Sequence, residues 1–330
     1  MPTTEHPQVL DRFVQFRKNK KLAHAYLFSG PKGVGKVQTA LEVAKLVNCE
    51  DPEAADPGKG RPFCGTCPSC RKIDSGNHPD VTVIGTEEDE QSIKIAKIRE
   101  LINRIQLKPY EGRMKVYIIR NIEDLTLEGS KALLKTLEEP AANSLLILTT
   151  SVLQSVLLTI RSRCQVIPFS PVAVFQLAGV LEKEGNCSST EAHFLAYFSE
   201  GCLDRARQMQ ADEVFSRKNS VIDHFLNGSG NEKFIKDLLA DKRLIRESLE
   251  VLLSWVRDAL LLKSGAESSR LINRDRTAEL TALARSVPLD RWQMLLRDIT
   301  GAMRLLEENL NLKIPLILLQ ERFQWLSTTR

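Results

Sequence analysis

Residues 26–36 read YLFSGPKGVGK, and this stretch decides the fold. A short apolar strand runs into a glycine-rich turn with the spacing of a phosphate-binding P-loop, GxxxxGK. Apolar residues recur at helical spacing from Lys36 to Val47, so the motif has the strand, loop and helix that it requires. Backbone N–H groups and the lysine of such a loop favour phosphate. We therefore expect a nucleotide-binding loop made by Gly30, Gly33, Gly35 and Lys36, with an incidental glycine-rich turn as the alternative.

The groups that act on a bound nucleotide are missing from this sequence. Position 37 is Val, where a P-loop enzyme has a Ser or Thr whose hydroxyl ligates Mg²⁺. The apolar strand 115–119 ends in Arg120 and Asn121, where an ATPase has a metal-holding Asp and a Glu that orients water. We expect Arg120 to put a positive charge where the metal would sit. The sequence therefore predicts no nucleotide hydrolysis by this chain and makes ATP binding doubtful.

Length and composition indicate a globular protein with more than one domain. The chain has 330 residues, of which 42% are hydrophobic and 27% charged, enough for two or three domains with their own cores. The formal net charge of +4 permits a nucleic-acid surface without requiring one. The sequence contains no apolar run of about 18 residues and no secretory pattern at its start, so we expect neither a membrane span nor export.

Strands and helices alternate in the first half of the chain. Strands are predicted near residues 26–29, 81–84, 116–119, 145–148 and 166–169, and helices near 7–19, 36–47, 95–106, 129–139 and 152–160. Such alternation predicts an α/β fold with a mostly parallel, doubly wound sheet. After Ser170 and Pro171 the pattern is helical only. We expect a P-loop domain at 1–170, a small helical domain at 171–212 and a second helical domain at 213–330.

Four of the seven cysteines form a cluster typical of a metal site. Cys64, Cys67 and Cys70 are each separated by two residues, and Cys49 lies at the end of the helix after the P-loop. Four thiolates suit tetrahedral Zn²⁺, and a full protein shell leaves no open position for catalysis, so the role would be structural. An iron–sulfur cluster and a redox CxxC are the alternatives. The cluster indicates a reducing compartment rather than disulfides.

A short motif, Ser162-Arg163-Cys164, follows the predicted helix at 152–160. Taken alone, Arg163 is most simply a surface residue in an ion pair. At the edge of a P-loop domain, it is also placed to reach the phosphate site of a neighbouring subunit. An arginine supplied in this way neutralises charge on the transferred phosphoryl group and contributes about 10³–10⁵ in rate where it has been measured.

Five stretches in the first 170 residues share one resemblance. They are residues 24–31 (HAYLFSGP), the four-cysteine cluster, residues 115–119 (KVYII), residues 132–140 (ALLKTLEEP) and residues 162–164 (SRC). Together they resemble the AAA+ clamp-loader subunits of bacterial DNA polymerase III, and the delta-prime type in particular.

The ATP-hydrolysing gamma/tau type shares nearly all of these stretches, so the departures discriminate between the two types. The gamma/tau type would have Ser or Thr at 37 and Asp-Glu at 120–121. It would also have a sensor arginine in the turn at 201–204, where this chain has Asp204, with Arg205 one place later. Three departures favour the delta-prime type, and the gamma/tau type stays the alternative.

The resemblance implies a fold and a role beyond what the pattern alone gives. It implies an AAA+ domain with a zinc module at 49–70, a helical lid at 171–212 and a helical collar at 213–330. The chain would not hydrolyse ATP itself, and Arg163 would act in trans on a neighbouring ATPase subunit. Structural Zn²⁺ would be held by Cys49, Cys64, Cys67 and Cys70.

The resemblance also implies partners and a location. The chain would join gamma/tau and delta subunits in a hetero-pentamer that loads a sliding clamp onto primer-template DNA. It would thus be a subunit of a DNA-directed DNA polymerase holoenzyme, a nucleotidyltransferase, without a catalytic site in cis. We expect a cytoplasmic protein associated with the replisome at the nucleoid, and no membrane partner.

Two other functions remain open at this point. An active DNA-stimulated ATPase needs Glu123 or Asp124 to replace the lost carboxylate, although both should lie past the end of the strand. A zinc-dependent nucleic-acid-binding module would use Arg61, Arg71 and Lys72 beside the cysteines. A solvated basic loop explains these last residues more simply.

Overall fold

The computed structural model describes residues 6–51, 62–86, 92–185, 187–227, 232–308 and 310–327. These residues form two compact units. The first ends at Val172 and also includes Cys202–Asp204, and the second contains Ala173–Gly201 and the chain from Arg205 onward. The predicted domain boundary at 170/171 lies near this division and stays a prediction. The finer division at 212/213 stays a prediction, and Arg61 lies outside the described residues.

The first unit is built on a parallel sheet. Its five strands are β1 (Ala25–Ser29), β2 (Val81–Ile84), β3 (Lys115–Ile119), β4 (Ser144–Thr150) and β5 (Gln165–Pro168). They lie in the order β2-β3-β4-β1-β5, and every paired strand is parallel to its neighbour. This order places the end of β1, where the P-loop begins, between the ends of β4 and β5.

Six helices accompany these strands in the part of the unit that the structure describes. They are α1 (Pro7–Lys18), α2 (Lys36–Asn48), α3 (Pro68–Asp74), α4 (Ile95–Ile105), α5 (Leu127–Glu138) and α6 (Leu158–Arg161). The helix predicted at 152–160 is wrong in its extent. A single 3-10 turn, Leu153–Ser155, is followed by extended backbone at Val156 and Leu157, and only then does α6 begin. The apolar spacing at 152–160 fits a helix, but it equally fits two short helical turns joined by extended backbone.

Both faces of the sheet are buried. On one face, α1 and α2 pack against alternate strand residues such as Phe28 and Ile118. On the other face, α4 and α5 pack against the intervening residues, such as Leu27 and Ile119. Strands buried on both sides need continuous apolar runs rather than alternation. The predicted parallel, doubly wound sheet is therefore confirmed.

Two side chains fasten the turn between α4 and β3 to the first unit. The Asp80 carboxylate accepts N–H bonds of 2.8–3.0 Å from the three successive residues 110–112. Asn48, the last residue of α2, accepts from Arg113 and Met114 at 2.9 Å. Burial alone would raise the pKa of Asp80, but the three backbone donors outweigh it and hold the pKa below its ordinary value. The turn is thus ordered by acceptors that come from two distant segments.

We expect the Asp80→Asn variant to lose about 2 kcal/mol of unfolding free energy near neutral pH, because a neutral amide replaces a charged acceptor. Since the folded pKa lies below the unfolded one, Asp80 contributes this stability above its unfolded pKa and loses it as the pH falls through the folded value. Urea unfolding at about pH 7 and about pH 3 measures the effect. A stability difference from wild type that does not shrink in acid would contradict the assignment.

The second unit is helical throughout its described part. Its helices are α7 (Val174–Lys183), α8 (Ser189–Phe198), α9 (Leu203–Ala211, whose first two residues belong to the first unit), α10 (Val214–Asn227), α11 (Glu232–Leu239), α12 (Lys242–Lys263), α13 (Thr277–Ser286), α14 (Leu289–Glu307) and α15 (Lys313–Ser327). None of the described helices is both long enough and apolar enough to span a bilayer.

A buried lysine links helices on either side of the predicted 212/213 boundary. The Lys218 ammonium on α10 is fully buried and lies 2.6 Å from an Asp275 carboxylate oxygen. It also lies 4.9 Å from the ring centre of Phe194 on α8 and 4.6 Å from that of Phe215. A buried charge needs such a partner, and the two aromatic rings add cation–π attraction. The α8 and α10 segments therefore share one core in this unit.

Candidate nucleotide site, cysteine cluster and arginine motif

The glycines of the P-loop are required by its backbone. A Cβ on Gly30 would lie 2.3 Å from the carbonyl oxygen of Phe169, so no side chain fits there. Gly33 and Gly35 have φ of +75° and +83°, a region that costs residues with a side chain free energy. Helix α2 begins directly after Gly35, at Lys36. The predicted loop is therefore formed, with the helix N-terminus next to it.

The lysine of the loop is bonded to the loop itself. The Lys36 ammonium donates 2.6 Å hydrogen bonds to the carbonyl oxygens of Gly30 and Pro31. The side chain is buried, and burial lowers its pKa, while the negative charge of Glu123 acts in the opposite direction. Lys36 thus has two carbonyl acceptors in its own loop, and Glu123 contributes a negative charge to its surroundings.

Glu123 approaches the loop from the segment after β3. It lies in a 3-10 turn, Ile122–Asp124, and its Oε1 accepts from the backbone N–H (2.8 Å) and the hydroxyl (2.6 Å) of Ser151. Burial would raise the pKa of Glu123, but these bonds hold it below its ordinary value. Its second carboxylate oxygen is buried and has no hydrogen-bond partner among the described residues. Glu123 lies past the strand end, as the sequence predicts, and its charge acts on the pKa of Lys36.

Arg120 lies elsewhere than expected. Its guanidinium is directed toward the end of β2, where a Cβ on Gly85 would lie only 2.7 Å from its Nε. There it lines a cavity of about 350 Å³ together with Lys97 and Arg104. Strand β2 is on the far side of β3 from the P-loop strand. The expectation that Arg120 puts its charge in the metal position is therefore wrong, because the end of β3 turns this side chain toward its other neighbour.

An N-terminal histidine completes the surroundings of the loop. The His6 Nε2 lies 2.6 Å from the carbonyl oxygen of Val34 in the loop, and its ring packs edge-on against Phe169 at 4.7 Å. Burial lowers the pKa of His6. Sequence reasoning did not identify this contact, because nothing in the spacing of residues 6 and 34 indicates it.

The four clustered cysteines converge. All four Sγ atoms lie within 4.8 Å of one another, and those of Cys49 and Cys64 are 3.6 Å apart, too far for a disulfide. Sulfurs bound to one tetrahedral Zn²⁺ at about 2.3 Å are themselves about 3.8 Å apart. Cys49 and Cys70 are fully buried, and Cys67 caps the N-terminus of α3. The donor set therefore fits one tetrahedral metal ion.

Backbone N–H groups point at these sulfurs. Cys49 Sγ accepts from the N–H of Cys64, Cys64 Sγ accepts from Thr66 and Cys67, and Cys67 Sγ accepts from Cys70, all at 3.3–3.4 Å. Burial opposes ionisation of Cys64, but the N–H donors outweigh it and lower its pKa to about 6. Such donors stabilise negative sulfur, which is the form that binds metal.

The cysteine module is also attached to α2 by polar contacts. Lys45 on α2, which is 2% exposed, forms an ion pair with Asp74 at the end of α3. Its ammonium lies 5.2 Å from the centre of the Phe63 ring. Glu50 accepts from the N–H of Ser69 at 3.2 Å. The fold around the cluster thus has contacts of its own besides the sulfurs.

Arg163 lies on the surface, just after α6. Its side chain is 35% exposed and forms an ion pair of 2.6 Å with Glu138. It also donates to the carbonyl oxygen of Thr159 at 2.9 Å. The ion pair that the sequence offers as the simplest interpretation is present, and the partner Glu138 was not identified from the sequence.

Arg205, next to the position of the missing sensor arginine, has a partner within the second unit. Its guanidinium lies 3.5 Å from a carboxylate oxygen of Glu250 on α12. Burial raises the pKa of Glu250, and Arg205 acts against this rise. Arg205 is therefore already paired in the helical unit.

Two family models and a set of curated relatives match this chain. The family described as "DNA polymerase III, delta subunit" matches residues 5–173, and the family described as "DNA polymerase III, delta subunit, C terminal" matches residues 218–327. DNA polymerase III subunit delta' of Bacillus subtilis (strain 168) is 32% identical over 278 residues, which cover 82% of this chain and 81% of that relative.

Similarity extends to a second type of subunit. DNA polymerase III subunit tau of Bacillus subtilis is 32% identical over 220 residues, covering 67% of this chain and 36% of the relative, so this chain spans about a third of tau. A solved DNA polymerase III gamma subunit-related protein from Thermotoga maritima superposes with a TM-score of 0.46 at 17% identity, covering 98% of this chain and 100% of that one. The chain belongs to the clamp-loader family of DNA polymerase III subunits, which includes delta' and tau/gamma.

Proposed function

We propose that this chain is a non-hydrolysing, delta-prime-type subunit that helps a clamp loader place a sliding clamp on primed DNA. One observation carries the proposal: a surface arginine at the edge of the P-loop domain coexists with a P-loop that lacks its metal ligands. Arg163 is accessible to a neighbouring subunit, whereas Lys36 is bonded to Gly30 and Pro31 in its own loop. The chain then contributes to ATP hydrolysis only through Arg163, which acts on the site of an adjacent tau/gamma subunit.

The C-terminal helix supports assembly with other subunits. Leu316, Leu319 and Phe323 of α15 are buried in this chain, while Ile314 and Trp325 are 70% and 51% exposed. A helix that has apolar side chains on its exposed side as well as on its buried side is typical of a helix that packs against another protein. We propose that this exposed side packs against collar helices of gamma/tau and delta subunits in a hetero-pentamer, with a lid at 171–212 and the collar at 213–330.

The cysteine cluster is proposed to hold Zn²⁺ with a structural role. Cys49, Cys64, Cys67 and Cys70 provide four sulfurs, so no position stays open for a reacting group. The metal would join the end of α2 to the loop before α3. It would stabilise this part of the domain and take no part in ATP hydrolysis.

ATP turnover by the purified chain tests the proposal directly. The chain alone is expected to be silent, and a complex reconstituted with tau/gamma, delta, clamp and primed DNA is expected to hydrolyse ATP. The complex without this chain is the control that shows its contribution. Turnover by the chain alone would overturn the proposal.

The second candidate is an active subunit of the tau/gamma type. It is favoured by the intact backbone of the P-loop and by Glu123, whose charge acts on Lys36 and whose second carboxylate oxygen has no hydrogen-bond partner in the described part of the chain. The Lys36→Met variant separates the candidates. We expect it to leave turnover of the reconstituted complex unchanged, because the site of Lys36 has Val at 37 and Arg120-Asn121 in place of the residues that hold Mg²⁺ and orient water. A loss of the turnover that this chain contributes would instead favour the active type.

A further inference from the structure

Two acceptors hold the guanidinium of Arg163 at the edge of the first unit. One is the Glu138 carboxylate, whose Oε1 lies 2.6 Å from the Arg163 Nη2. The other is the carbonyl oxygen of Thr159, which accepts from Nη1 at 2.9 Å. The nearby Ser162 hydroxyl is only a weak third contact, at 3.4 Å. The two good acceptors engage different nitrogens and so define the plane of the guanidinium.

Both acceptors belong to segments that the core fixes. Glu138 is the last residue of α5, and the preceding Leu137 is 2% exposed. The carbonyl oxygen of Leu137 lies 3.0 Å from His24 Nε2, which ties this helix end to the segment before β1. Thr159 is in α6 beside Ile160, which is 1% exposed. The backbone position of Glu138 is therefore set by the domain and does not depend on Arg163.

The ion pair is a poor candidate for stabilising the fold. Half of the Glu138 side chain and about a third of the Arg163 side chain are exposed, and pairs of this kind contribute little to stability. What the pair does change is the freedom of Arg163, since a long, exposed side chain otherwise samples many rotamers. A guanidinium has five N–H donors, more than these contacts use, so it can donate a hydrogen bond to a phosphate oxygen while it still contacts Glu138.

We propose that Glu138 is a positioning residue for Arg163, which it holds in the orientation that the neighbouring ATP site requires. This inference rests on the proposed role of Arg163 as an arginine finger in trans. Glu138 touches no substrate and acts only through Arg163. By limiting the rotamers before the subunits meet, it reduces the ordering that must accompany the transfer of the phosphoryl group. A lock that keeps Arg163 away from the site is the opposite model, and it predicts the opposite sign.

The Glu138→Gln variant in the reconstituted complex tests this proposal. We expect kcat for ATP to fall about fivefold at the site served by this chain. This is the rate factor that corresponds to the free energy of an exposed ion pair. The KM for ATP should stay unchanged, because Glu138 contacts only Arg163, and Arg163 stabilises the phosphoryl group in the transition state rather than the bound ATP. The matched control is Glu139→Gln, which removes the same charge one residue later, where the structure places no ion pair with a described residue.

The Arg163→Ala background separates failure of this inference from failure of the proposed function. If Arg163→Ala leaves turnover unchanged, the finger role fails and the inference fails with it. If Arg163→Ala lowers turnover and Glu138→Gln does not, only the positioning role is wrong. If Glu138→Gln lowers kcat further in the Arg163→Ala background, Glu138 acts by another route and the inference is overturned. A rise in kcat for Glu138→Gln would establish the lock model and would overturn the positioning role proposed for Glu138.

Discussion

The Arg163→Ala variant of this chain is expected to remove the ATP turnover of the clamp-loader site that lies next to it. The guanidinium neutralises charge that develops on the transferred phosphoryl group, and fingers of this kind contribute about 10³–10⁵ in rate. Total turnover of the reconstituted complex should fall to that of the sites this chain does not serve. Steady-state ATP hydrolysis in the presence of clamp and primed DNA measures the loss.

A matched control comes from the end of α6, two residues before Arg163. Arg161 is the last residue of this helix, so Arg161→Ala removes one positive charge from nearly the same place. We expect this variant to retain turnover. Thermal unfolding of the isolated chain should be almost unchanged in both variants, because the Arg163 pair is exposed. Equal turnover for wild type and Arg163→Ala complexes would show that the finger role is wrong.

Loss of the metal is expected to have the largest effect on stability. The Cys70→Ser variant replaces a fully buried thiol in the cluster, and a hydroxyl is a poor ligand for Zn²⁺. Because binding of a structural metal is coupled to folding, we expect a loss of at least about 3 kcal/mol and a fall in Tm of about 6–12 °C. Elemental analysis should find one zinc per wild-type chain and less than one in the variant.

Cys187→Ser is the control for this experiment, since Cys187 lies in the second unit and outside the cluster. It should keep both the metal and the Tm. A chelator should lower the Tm of the wild type to that of Cys70→Ser, and added Zn²⁺ should restore it. A wild-type chain that binds no metal, or one that binds iron, would contradict the zinc assignment.

The parts of the fold that were predictable are those set by local sequence. Strand β3 reads as a continuous apolar run because both of its faces are covered, and the P-loop is recognisable because backbone geometry demands glycine at 30, 33 and 35. The cysteines converge as their spacing predicts. The segment at 152–160 was misjudged because a helix and two joined turns share the same apolar spacing.

The parts that were not predictable depend on contacts between distant segments. The sequence places Arg120 at the end of β3, but only the strand order shows that Gly85 leaves room for it on the side of β2. The pairing of Arg163 with Glu138 joins residues whose spacing carries no signal. The contact of His6 with the loop is of the same kind. Tertiary packing, rather than periodicity, decides where such side chains end.

The bonding of Lys36 has a consequence for any design that builds the missing metal ligands into this P-loop. Restoring a hydroxyl at 37 and carboxylates at 120 and 121 supplies metal ligands but leaves the lysine bonded to Gly30 and Pro31. An incoming triphosphate must then break those bonds in a buried place and overcome repulsion from Glu123. A design for hydrolysis at this loop therefore has to change the surroundings of Lys36, including position 123, as well as positions 37, 120 and 121.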